Sequence, residues 1–598
     1  MASLEIKKLN FAYPVQDKSM QVNALTDIDL SIGDGEFVLI CGPSGCGKST
    51  LLRQIKPALR PFGTLSGSIS LDGRPINELS FREQTESIGF VMQDPEMQIV
   101  TDKVWHELAF GLESLGLNNT TMRMRVAETA DFFGIQNYLD SKTSEISGGQ
   151  KQLLCLASVM AMQPKLILLD EPTSQLDPIA AGEFFSALKR VNDEIGTTII
   201  ITEHRYEGLF QMISRVVFMD DGRIICNCKP AEAISQLKTF PRFIETLPAS
   251  MRLYACLDIN GNDAPITVKE GRSYLEKRTP DNLKLYENIN RNLQNKHLQK
   301  NSGGDSSHNR MRNDRNKLSG RATQGGMKDC KTKRESRKPI ITLKDCWFRY
   351  ERNSSDVLKG LSFSIYKDEL TCIIGGNGSG KTTAIMTAAG LYQPYRGKVK
   401  LYNKNVETYS KDELFGKKIA LLVQNPACCF VKDTVREELI NVCKQFKIEK
   451  ARLDEVISFM ELQSFLYRHP YDISGGELQR AAIARLLLPS PEVIFLDEAT
   501  KGMDPFFKKN FGKMLKRLTA NGVSIVLVSH DIEFCAEFAD HCAMFFDGRI
   551  TAEGSSREVL IDNSFYTTAA NRISRGIIES ALTVPELIER VKMENEHF

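Results

Sequence analysis

The octapeptide Gly42-Pro43-Ser44-Gly45-Cys46-Gly47-Lys48-Ser49 decides the fold, because it has the form G-x-x-x-x-G-K-[ST] of a phosphate-binding loop. It follows the apolar run 36–41, which predicts a buried strand, and a helix is predicted to begin at Lys48. The glycines let backbone N–H groups converge on phosphate oxygens, and the lysine ammonium meets the β and γ phosphates. The Ser49 hydroxyl can bind Mg²⁺. The octapeptide therefore predicts a nucleotide site.

The same elements recur roughly 330 residues further along the chain, in the same order. The octapeptide at 375–382 is a second phosphate loop that ends in Thr382, and it again follows an apolar run, 370–374. Further short apolar runs at 166–169, 198–201, 493–496 and 524–528 alternate with helical segments. Alternation of this kind predicts two similar α/β halves, each with a mostly parallel sheet flanked by helices.

The repeat and the composition predict five segments. We place a first domain at 1–245 with a small extension at 246–287, and a second domain at 339–565 with an extension at 566–598, because the sequence around 265–270 is echoed at 582–586. The intervening segment 288–338 is polar and basic, and we expect a flexible linker. An alternative is that its basic residues, Arg310, Arg312, Arg315 and the run 328–338, contact nucleic acid or anionic lipid. We expect no nucleic-acid partner.

Composition excludes several classes of protein. With 42% apolar and 25% charged residues, the chain is typical of a globular protein. No apolar run approaches the roughly 20 residues that a membrane-spanning helix needs, and residues 1–10 lack a signal-peptide pattern. The 14 cysteines show no paired C-x-x-C spacing, so we expect reduced thiols and no structural metal.

Acidic pairs end two of the predicted strands. Asp170 and Glu171 follow the run 166–169, and Asp497 and Glu498 follow the run 493–496. At the carboxyl edge of a parallel sheet these side chains face the phosphate loop. The aspartate can hold the Mg²⁺ shell, while the glutamate can polarise the attacking water as general base. We expect Glu171 and Glu498 to be catalytic.

The tetrapeptides SGGQ at 147–150 and SGGE at 474–477 lie between the phosphate loop and the acidic strand of each half. They resemble the signature motif of ABC-transporter ATPases, and the resemblance covers nearly all of the chain except the linker. It implies two P-loop ABC ATPase domains of the α/β class, each with a mostly parallel sheet core, a helical signature subdomain and an antiparallel β subdomain. It also implies that both halves bind ATP and Mg²⁺.

Other positions match this family one at a time. Tyr13 and Tyr350 match the aromatic residue that stacks on adenine. Gln93 and Gln424 match the loop glutamine that contacts Mg²⁺ and senses the membrane partner. His204 and His530 match the switch histidine that contacts the γ-phosphate, and we expect both to be catalytic. The segments 174–177 and 501–504 match the loop that crosses between the sites.

The resemblance thus assigns three sets of residues. The expected nucleotide contacts of the first half are Tyr13, Gly42, Pro43, Ser44, Gly45, Cys46, Gly47, Lys48, Ser49, Thr50, Gln93, Ser147, Gly148, Gly149 and Gln150. Those of the second half are Tyr350, Gly375, Gly376, Asn377, Gly378, Ser379, Gly380, Lys381, Thr382, Thr383, Gln424, Ser474, Gly475, Gly476 and Glu477. The expected magnesium ligands are Ser49, Gln93, Asp170, Thr382, Gln424 and Asp497.

In this family each phosphate loop works with the signature of the opposite half, which implies that the two halves pair within one chain. Both glutamates and both histidines are present, so we expect two competent sites. Two departures put equal turnover in doubt. Lys501 replaces the usual serine of the crossing loop, and Ala499 stands where the first half has Pro172.

Finer features are similar to the ATPase subunits of energy-coupling factor transporters. These are the segments 91–99 and 104–111, the pentapeptide ITEHR at 201–205 and the tandem arrangement. The resemblance implies a peripheral protein at the cytoplasmic face of the cell membrane that drives a transmembrane scaffold protein and a substrate-binding membrane protein. The cargo would be a vitamin or a transition-metal ion. The alternative is a soluble twin ABC ATPase that acts on ribosomes, although 288–338 is too poor in apolar residues for the helical linker of those proteins.

Overall fold

Each half of the chain folds around a six-stranded sheet built from the apolar runs of the sequence. The computed structural model describes residues 3–14, 22–204, 206–257, 263–278, 338–578 and 580–596. Almost all of the predicted linker, 288–337, lies outside the described residues, as does part of the first extension.

The first half contains ten strands and ten α-helices among its described residues. The strands are Leu4–Tyr13, Val22–Ile32, Phe37–Cys41, Thr64–Leu71, Arg74–Pro75, Ile88–Val91, Leu166–Asp170, Thr198–Thr202, Arg215–Asp220 and Arg223–Cys228. The helices are Lys48–Ile55, Phe81–Ser87, Val104–Ser114, Asn119–Phe132, Gly148–Ala161, Pro178–Arg190, Ala233–Gln236, Pro241–Ile244, Ala249–Leu257 and Val268–Arg278.

The second half repeats this order. Its strands are Ile341–Phe348, Leu358–Ile365, Leu370–Ile374, Arg396–Leu401, Lys404–Asn405, Ile419–Leu422, Val493–Asp497, Ser524–Val528, His541–Phe546 and Arg549–Gly554. Its helices are Lys381–Ala388, Lys411–Glu413, Val435–Phe446, Lys450–Phe459, Gly475–Leu487, Pro505–Ala520, Ile532–Phe538, Ser556–Leu560, Ala569–Ser574 and Val584–Glu596.

The central sheet of the first half is parallel except at one edge. Phe37–Cys41 pairs in parallel with Thr198–Thr202 on one side and with Arg215–Asp220 on the other, and Arg223–Cys228 adds an antiparallel edge. Leu166–Asp170 continues the parallel arrangement beyond Thr198–Thr202. Helices cover both faces of such a sheet, so its strands are buried throughout and read as unbroken apolar runs.

Two smaller units flank this sheet in each half. A four-stranded antiparallel sheet contains the strand that ends at Tyr13, and its counterpart contains Ile341–Phe348. A helical unit in the first half packs Val104–Ser114 and Asn119–Phe132 against Gly148–Ala161. The expected fold class, with a mostly parallel core, a helical subdomain and an antiparallel β subdomain, is confirmed.

Helices from the two halves form one C-terminal module, which we define as Ala249–Leu257, Val268–Arg278, Ala569–Ser574 and Val584–Glu596. Its core joins Leu253 and Leu275 of the first half to Ile573 and Leu587 of the second. The helices approach closely because residue 271 is a glycine: a Cβ there would lie 2.7 Å from the Cβ of Ser250 and 3.3 Å from Ile573 Cδ1. The halves are therefore joined by a packed apolar core.

The sequence similarity between 265–270 and 582–586 reflects the same helix-capping arrangement in both extensions. Glu270 accepts the Thr267 N–H and donates its own N–H to the Thr267 hydroxyl. Glu586 likewise donates its N–H to the Thr583 hydroxyl, and its carboxylate accepts the Leu582 N–H. The spacing of Thr and Glu satisfies the first free N–H groups of each helix, which accounts for its repetition.

Among the described residues, no helix combines the length and the apolar character needed to cross a membrane.

We expect Ile573→Ala to weaken the joint between the halves. Removing a fully buried side chain at this contact should lower the free energy of unfolding by about 2–4 kcal/mol, measured by urea denaturation. Met593→Ala, which truncates an exposed side chain of the same module, should change it by less than about 0.5 kcal/mol. Equal stability of the two variants would contradict the proposed packing.

Candidate active site

Both phosphate loops enclose the ammonium group of their lysine. The residue before each lysine is a glycine in the left-handed region, with φ of 102° at Gly47 and 103° at Gly380. A Cβ at Gly47 would lie 2.6 Å from the Ala24 carbonyl oxygen, so the turn requires glycine. Lys48 Nζ donates to the carbonyl oxygens of Gly42 and Pro43 at 2.9 and 3.0 Å, and Lys381 Nζ donates to Gly376 at 2.7 Å. The backbone geometry is that of an anion cradle at a helix start.

Cys46 takes part in this loop through its backbone. Its side chain is buried and packs in the core beneath the loop, beside Leu51 and Val217. Burial raises the pKa of its thiol, so the thiol stays neutral and apolar in character.

Each loop hydroxyl is bonded to the strand-end aspartate of its half. Ser49 Oγ donates to Asp170 Oδ1 at 2.7 Å, and Thr382 Oγ1 donates to Asp497 Oδ2 at 2.9 Å. Burial raises the pKa of both aspartates. Asp497 Oδ1 is buried and accepts no hydrogen bond within the described part of the chain. Hydroxyl and carboxylate oxygens with spare acceptor capacity are the donors that Mg²⁺ prefers, so the site fits this ion.

Glu171 lies between the predicted glutamine and the predicted histidine of the first half. Gln93 Nε2 donates to its Oε2 at 3.1 Å, and His204 Nε2 lies 2.8 Å from its Oε1. Burial alone would raise the pKa of Glu171, but the charge of His204 and its hydrogen bond outweigh burial and lower this pKa. The φ of 45° at Glu171 is rare for a side chain with a Cβ, and backbone strain of this kind concentrates at functional sites.

The second half repeats this cluster with one addition. Gln424 Nε2 donates to Glu498 Oε2 at 2.8 Å, and His530 Nδ1 lies 3.7 Å from Oε1. Lys501 Nζ also lies 3.3 Å from Oε2. Burial would raise the pKa of Glu498, but the His530 hydrogen bond and the Lys501 charge lower it to about 2. The general position of the cluster was predictable, whereas this ion pair was not.

Aspartates of the crossing loops connect each half to the phosphate loop of the other. Asp504 Oδ2 accepts the Ser44 N–H at 2.9 Å, and Asp177 Oδ2 accepts the Asn377 N–H at 3.4 Å. Directly after Asp504, Phe506 packs edge-to-face on Phe243 of the first half, with 5.4 Å between ring centroids. The halves therefore meet head to tail at both phosphate loops.

The two SGG motifs form exposed helix starts. Ser147 and Ser474 are N-cap residues, and each forms a reciprocal capping box with the residue three positions on, Gln150 or Glu477. The space around Gly148 and Gly475 is open, since a Cβ there would meet no atom within 4 Å. An anion can therefore approach the backbone N–H groups of either helix closely.

The two predicted adenine-stacking tyrosines lie beside the phosphate loops. The Tyr13 hydroxyl is 3.1 Å from Thr50 Oγ1, and the Tyr350 hydroxyl is 2.9 Å from Thr383 Oγ1. The ring of Tyr392 packs edge-to-face against that of Tyr350, with 5.8 Å between the ring centroids. Equivalent positions in the two halves thus bring an aromatic ring to the start of the phosphate-loop helix.

Sequence reasoning missed two supporting residues of the first half. Thr202 Oγ1 donates to Asp170 Oδ1 at 3.0 Å and accepts the Glu171 N–H at 3.0 Å. The buried Glu203 accepts the N–H and hydroxyl of Thr173, so it fixes the loop after Glu171. The signal for both was their position at the end of the strand next to Leu166–Asp170, where side chains of neighbouring strands meet.

Two phosphate loops, each with an acidic strand end, an SGG helix start and an aspartate from the opposite half, define a tandem P-loop ATPase. The ABC transporter family model matches residues 25–174 and again residues 358–501. An ABC transporter ATP-binding protein of Bacillus thuringiensis subsp. konkukian is 36% identical over 593 residues, which is 98% of each chain. Another, of Methanosarcina acetivorans, is 32% identical over 98% of this chain and 90% of its own length.

Among solved structures, cbiO1 from Clostridium perfringens, part of the ABC transporter complex cbiONQ, is 33% identical. The match covers 40% of this chain and 96% of that protein, with a TM-score of 0.35. On the family model and the full-length relatives, the chain belongs to the ABC transporter ATP-binding proteins. Like that family, it is an ATPase that binds ATP with Mg²⁺.

We expect Asp504 to stabilise the fold through its side-chain oxygens. Asp504→Ala removes the acceptor for the Ser44 N–H and for the Phe507 N–H at the helix start, which should cost about 1–2 kcal/mol of unfolding free energy. Asp504→Asn keeps one of the two acceptor oxygens, so it should cost less than Asp504→Ala does. Urea denaturation of the parent chain and both variants measures these differences. Midpoints of both variants equal to that of the parent would show that neither hydrogen bond contributes.

Proposed function

We propose that this chain is the ATP-hydrolysing subunit of an importer of the energy-coupling factor type, with a vitamin or a transition-metal ion as cargo. It would act at the cytoplasmic face of the membrane, bound to a transmembrane scaffold protein and a substrate-binding membrane protein. The segments 91–99, 104–111 and 201–205 support this subtype through their resemblance to those ATPases.

One observation supports the proposed coupling of ATP hydrolysis to a membrane partner. The loop glutamine of each half is hydrogen-bonded to the strand-end glutamate, at 3.1 Å between Gln93 and Glu171 and at 2.8 Å between Gln424 and Glu498. The chain after each glutamine runs directly into an exposed apolar surface. A helix that docks on this surface can therefore shift the glutamate through one short loop.

The exposed surface of the first half includes Met97, Val100 and Trp105. Its backbone is fixed from within, because the buried carboxylate of Glu107 accepts the N–H groups of Val100 and Thr101 at 3.1 and 2.9 Å. A rigid surface with exposed large apolar side chains is suited to bind an apolar helix. We assign it to a cytoplasmic helix of the scaffold protein.

In the second half, Val431 follows the glutamine and is exposed, as are Tyr467 and Tyr471 further along the chain. Here the buried Glu438 accepts the Val431 N–H at 3.0 Å and also pairs with Arg485 at 3.0 Å. Two such surfaces in one chain would bind two helices of the same scaffold.

We assign the chemistry to the residues gathered at the strand ends. Glu171 and Glu498 would accept the proton of the attacking water, while the water oxygen bonds to the γ-phosphorus and the bond to the bridging oxygen breaks. Lys48 and Lys381 would bind the β and γ phosphates, and His204 and His530 would hold the γ-phosphate and orient the glutamates. Ser147-Gly148-Gly149 and Ser474-Gly475-Gly476 would close on the nucleotide of the opposite half.

Ser49 with Asp170, and Thr382 with Asp497, would hold Mg²⁺, with Gln93 and Gln424 at its rim. When bound, the ion neutralises charge on the phosphate oxygens. Tyr13 and Tyr350 would stack on adenine. Because each site would use groups from both halves, ATP would hold the halves together and hydrolysis would release them.

Glu171→Gln combined with Glu498→Gln should abolish ATP turnover in the purified assembly, because glutamine cannot accept the proton. The variant should still bind ATP and accumulate with the halves closed. Phosphate release and retained radiolabelled ATP measure the two properties. Turnover at the parental rate would refute the role assigned to the glutamates.

Trp105→Glu should reduce co-purification with the membrane scaffold at least tenfold, because it places a charge in an apolar contact. Ile195→Glu is the matched control: Ile195 is an exposed apolar residue before the strand Thr198–Thr202, at the amino ends of the parallel strands, whereas Gln93 follows their carboxyl ends. Co-purification from detergent-solubilised membranes, with the scaffold quantified by mass spectrometry, measures the effect. Equal recovery of both variants would contradict the docking surface.

Fractionation of cells tests the proposed function as a whole. The chain should sediment with membranes, and the purified membrane complex should retain the cargo, which mass spectrometry can identify. Sedimentation with ribosomes instead would favour the twin ATPase alternative and overturn the importer.

A further inference from the structure

The two clusters around the strand-end glutamates differ by one positive charge. In the second half, Lys501 Nζ lies 3.3 Å from Glu498 Oε2. The equivalent residue of the first half is Ser174, three positions after Glu171. Its hydroxyl is buried and makes no hydrogen bond within the described residues. The first-half glutamate therefore has no cation at this position.

The Lys501 ammonium faces the same Glu498 oxygen that accepts the hydrogen bond from the loop glutamine. Glu498 Oε2 accepts from Gln424 Nε2 at 2.8 Å and faces Lys501 at 3.3 Å. Within the described residues, the only donor to Glu171 Oε2 is Gln93, at 3.1 Å. On the other oxygen, the histidine is close to Glu171, at 2.8 Å, and farther from Glu498, at 3.7 Å. The second glutamate thus faces a lysine in addition to its glutamine and its histidine.

The ion pair is well placed to restrain Glu498. Only 18% of the Lys501 side chain and 12% of the Glu498 side chain are exposed, so solvent screens the attraction weakly. The backbone between them is a tight turn in which the Lys501 N–H donates to the Glu498 carbonyl at 3.0 Å. The hydroxyl of Thr500, which lies in this turn, is hydrogen-bonded to the Ser529 hydroxyl at 3.1 Å. The lysine is therefore carried on a fixed loop.

We propose that Lys501 is a positioning residue that restrains the Glu498 carboxylate, so that the second ATP site turns over more slowly than the first. The inference rests on the proposed role of Glu498 as the group that accepts the proton of the attacking water. An oxygen that already faces an ammonium and an amide is a weaker acceptor for that water. Moving it into line also requires a partly buried ion pair to break.

The second site can be measured alone in a chain that carries Glu171→Gln. In this background, Lys501→Met keeps the length of the side chain and removes its charge, and it should raise kcat about 5–20-fold with KM for ATP within about twofold. Lys501→Arg restores a cation and should return kcat towards the background value. A fall in kcat with Lys501→Met, or equal rates for the Met and Arg variants, would overturn the proposal.

The reciprocal change transfers the restraint to the first site. In a chain that carries Glu498→Gln, Ser174→Lys should lower kcat about 5–20-fold, again with little change in KM. For Lys501→Met, the matched control is Lys516→Met in the same Glu171→Gln chain, because Lys516 pairs with Asp540 at 2.6 Å on the distal part of the helix Pro505–Ala520. Lys516→Met should leave turnover at the background rate, and a change equal to that of Lys501→Met would overturn the specific role of Lys501.

Single glutamine variants provide a readout that does not depend on an active one-site background. Glu171→Gln should reduce the turnover of the whole chain more than Glu498→Gln does, and equal losses would refute unequal sites. If the double glutamine variant still hydrolyses ATP, the role assigned to the glutamates is wrong. If the double variant is inactive but Lys501→Met has no effect, the inference about Lys501 alone fails.

Discussion

The strand Phe37–Cys41 is hydrogen-bonded on both sides to strands that run in its own direction, Thr198–Thr202 and Arg215–Asp220. Because Leu166–Asp170 and Ile88–Val91 extend the same parallel arrangement, the ends of all these strands lie at one edge of the sheet. This edge receives the phosphate loop, Gln93, Asp170 with Glu171, and His204, although they are far apart in sequence. The chemistry of each half depends on this parallel pairing.

The second constraint is that the two halves contact each other at their phosphate loops. The phosphate loop of the first half donates an N–H to Asp504, and that of the second half donates to Asp177. The C-terminal module adds a shared apolar core some distance along the chain from these loops. The module is held together by apolar packing, whereas the contacts at the phosphate loops are hydrogen bonds. Apolar packing keeps the halves associated, while contacts at the loops can exchange with a nucleotide.

Although the halves share one architecture, they are not equivalent in charge. Glu203 fixes the first-half loop through Thr173, whereas in the second half Thr500 bonds to Ser529. Lys501 adds a cation beside Glu498 where Ser174 adds none beside Glu171. Ala499 and Pro172 are both buried, so this replacement adds no polar group to the loop. These differences all involve the loop that follows the acidic strand of each half.

The sequence by itself determined the class of fold and the order of the motifs along each half. Phosphate-loop glycines, buried strands and N-capping serines act over a few residues, so their spacing indicates their structure directly. The predicted strands 370–374 and 524–528 have the predicted bounds, and the other predicted runs differ from the observed strands by one residue. The linker prediction falls on residues outside the described ranges, and the roles of the site residues stay proposals.

Only the tertiary structure decided which groups touch. The ion pair between Lys501 and Glu498 joins residues of one turn, but it depends on the rotamer of each side chain. The Gln424 amide that donates to the same carboxylate oxygen comes from a distant segment, and the exposure of Trp105 near the buried Glu107 depends on how their helix packs. The same holds for the joint between the halves, where a Cβ at Gly271 would lie 2.7 Å from Ser250 Cβ and 3.3 Å from Ile573 Cδ1, which comes from the other end of the chain. Local sequence does not decide these contacts, since both the rotamers of neighbouring residues and the positions of distant partners are set by the fold of the whole chain.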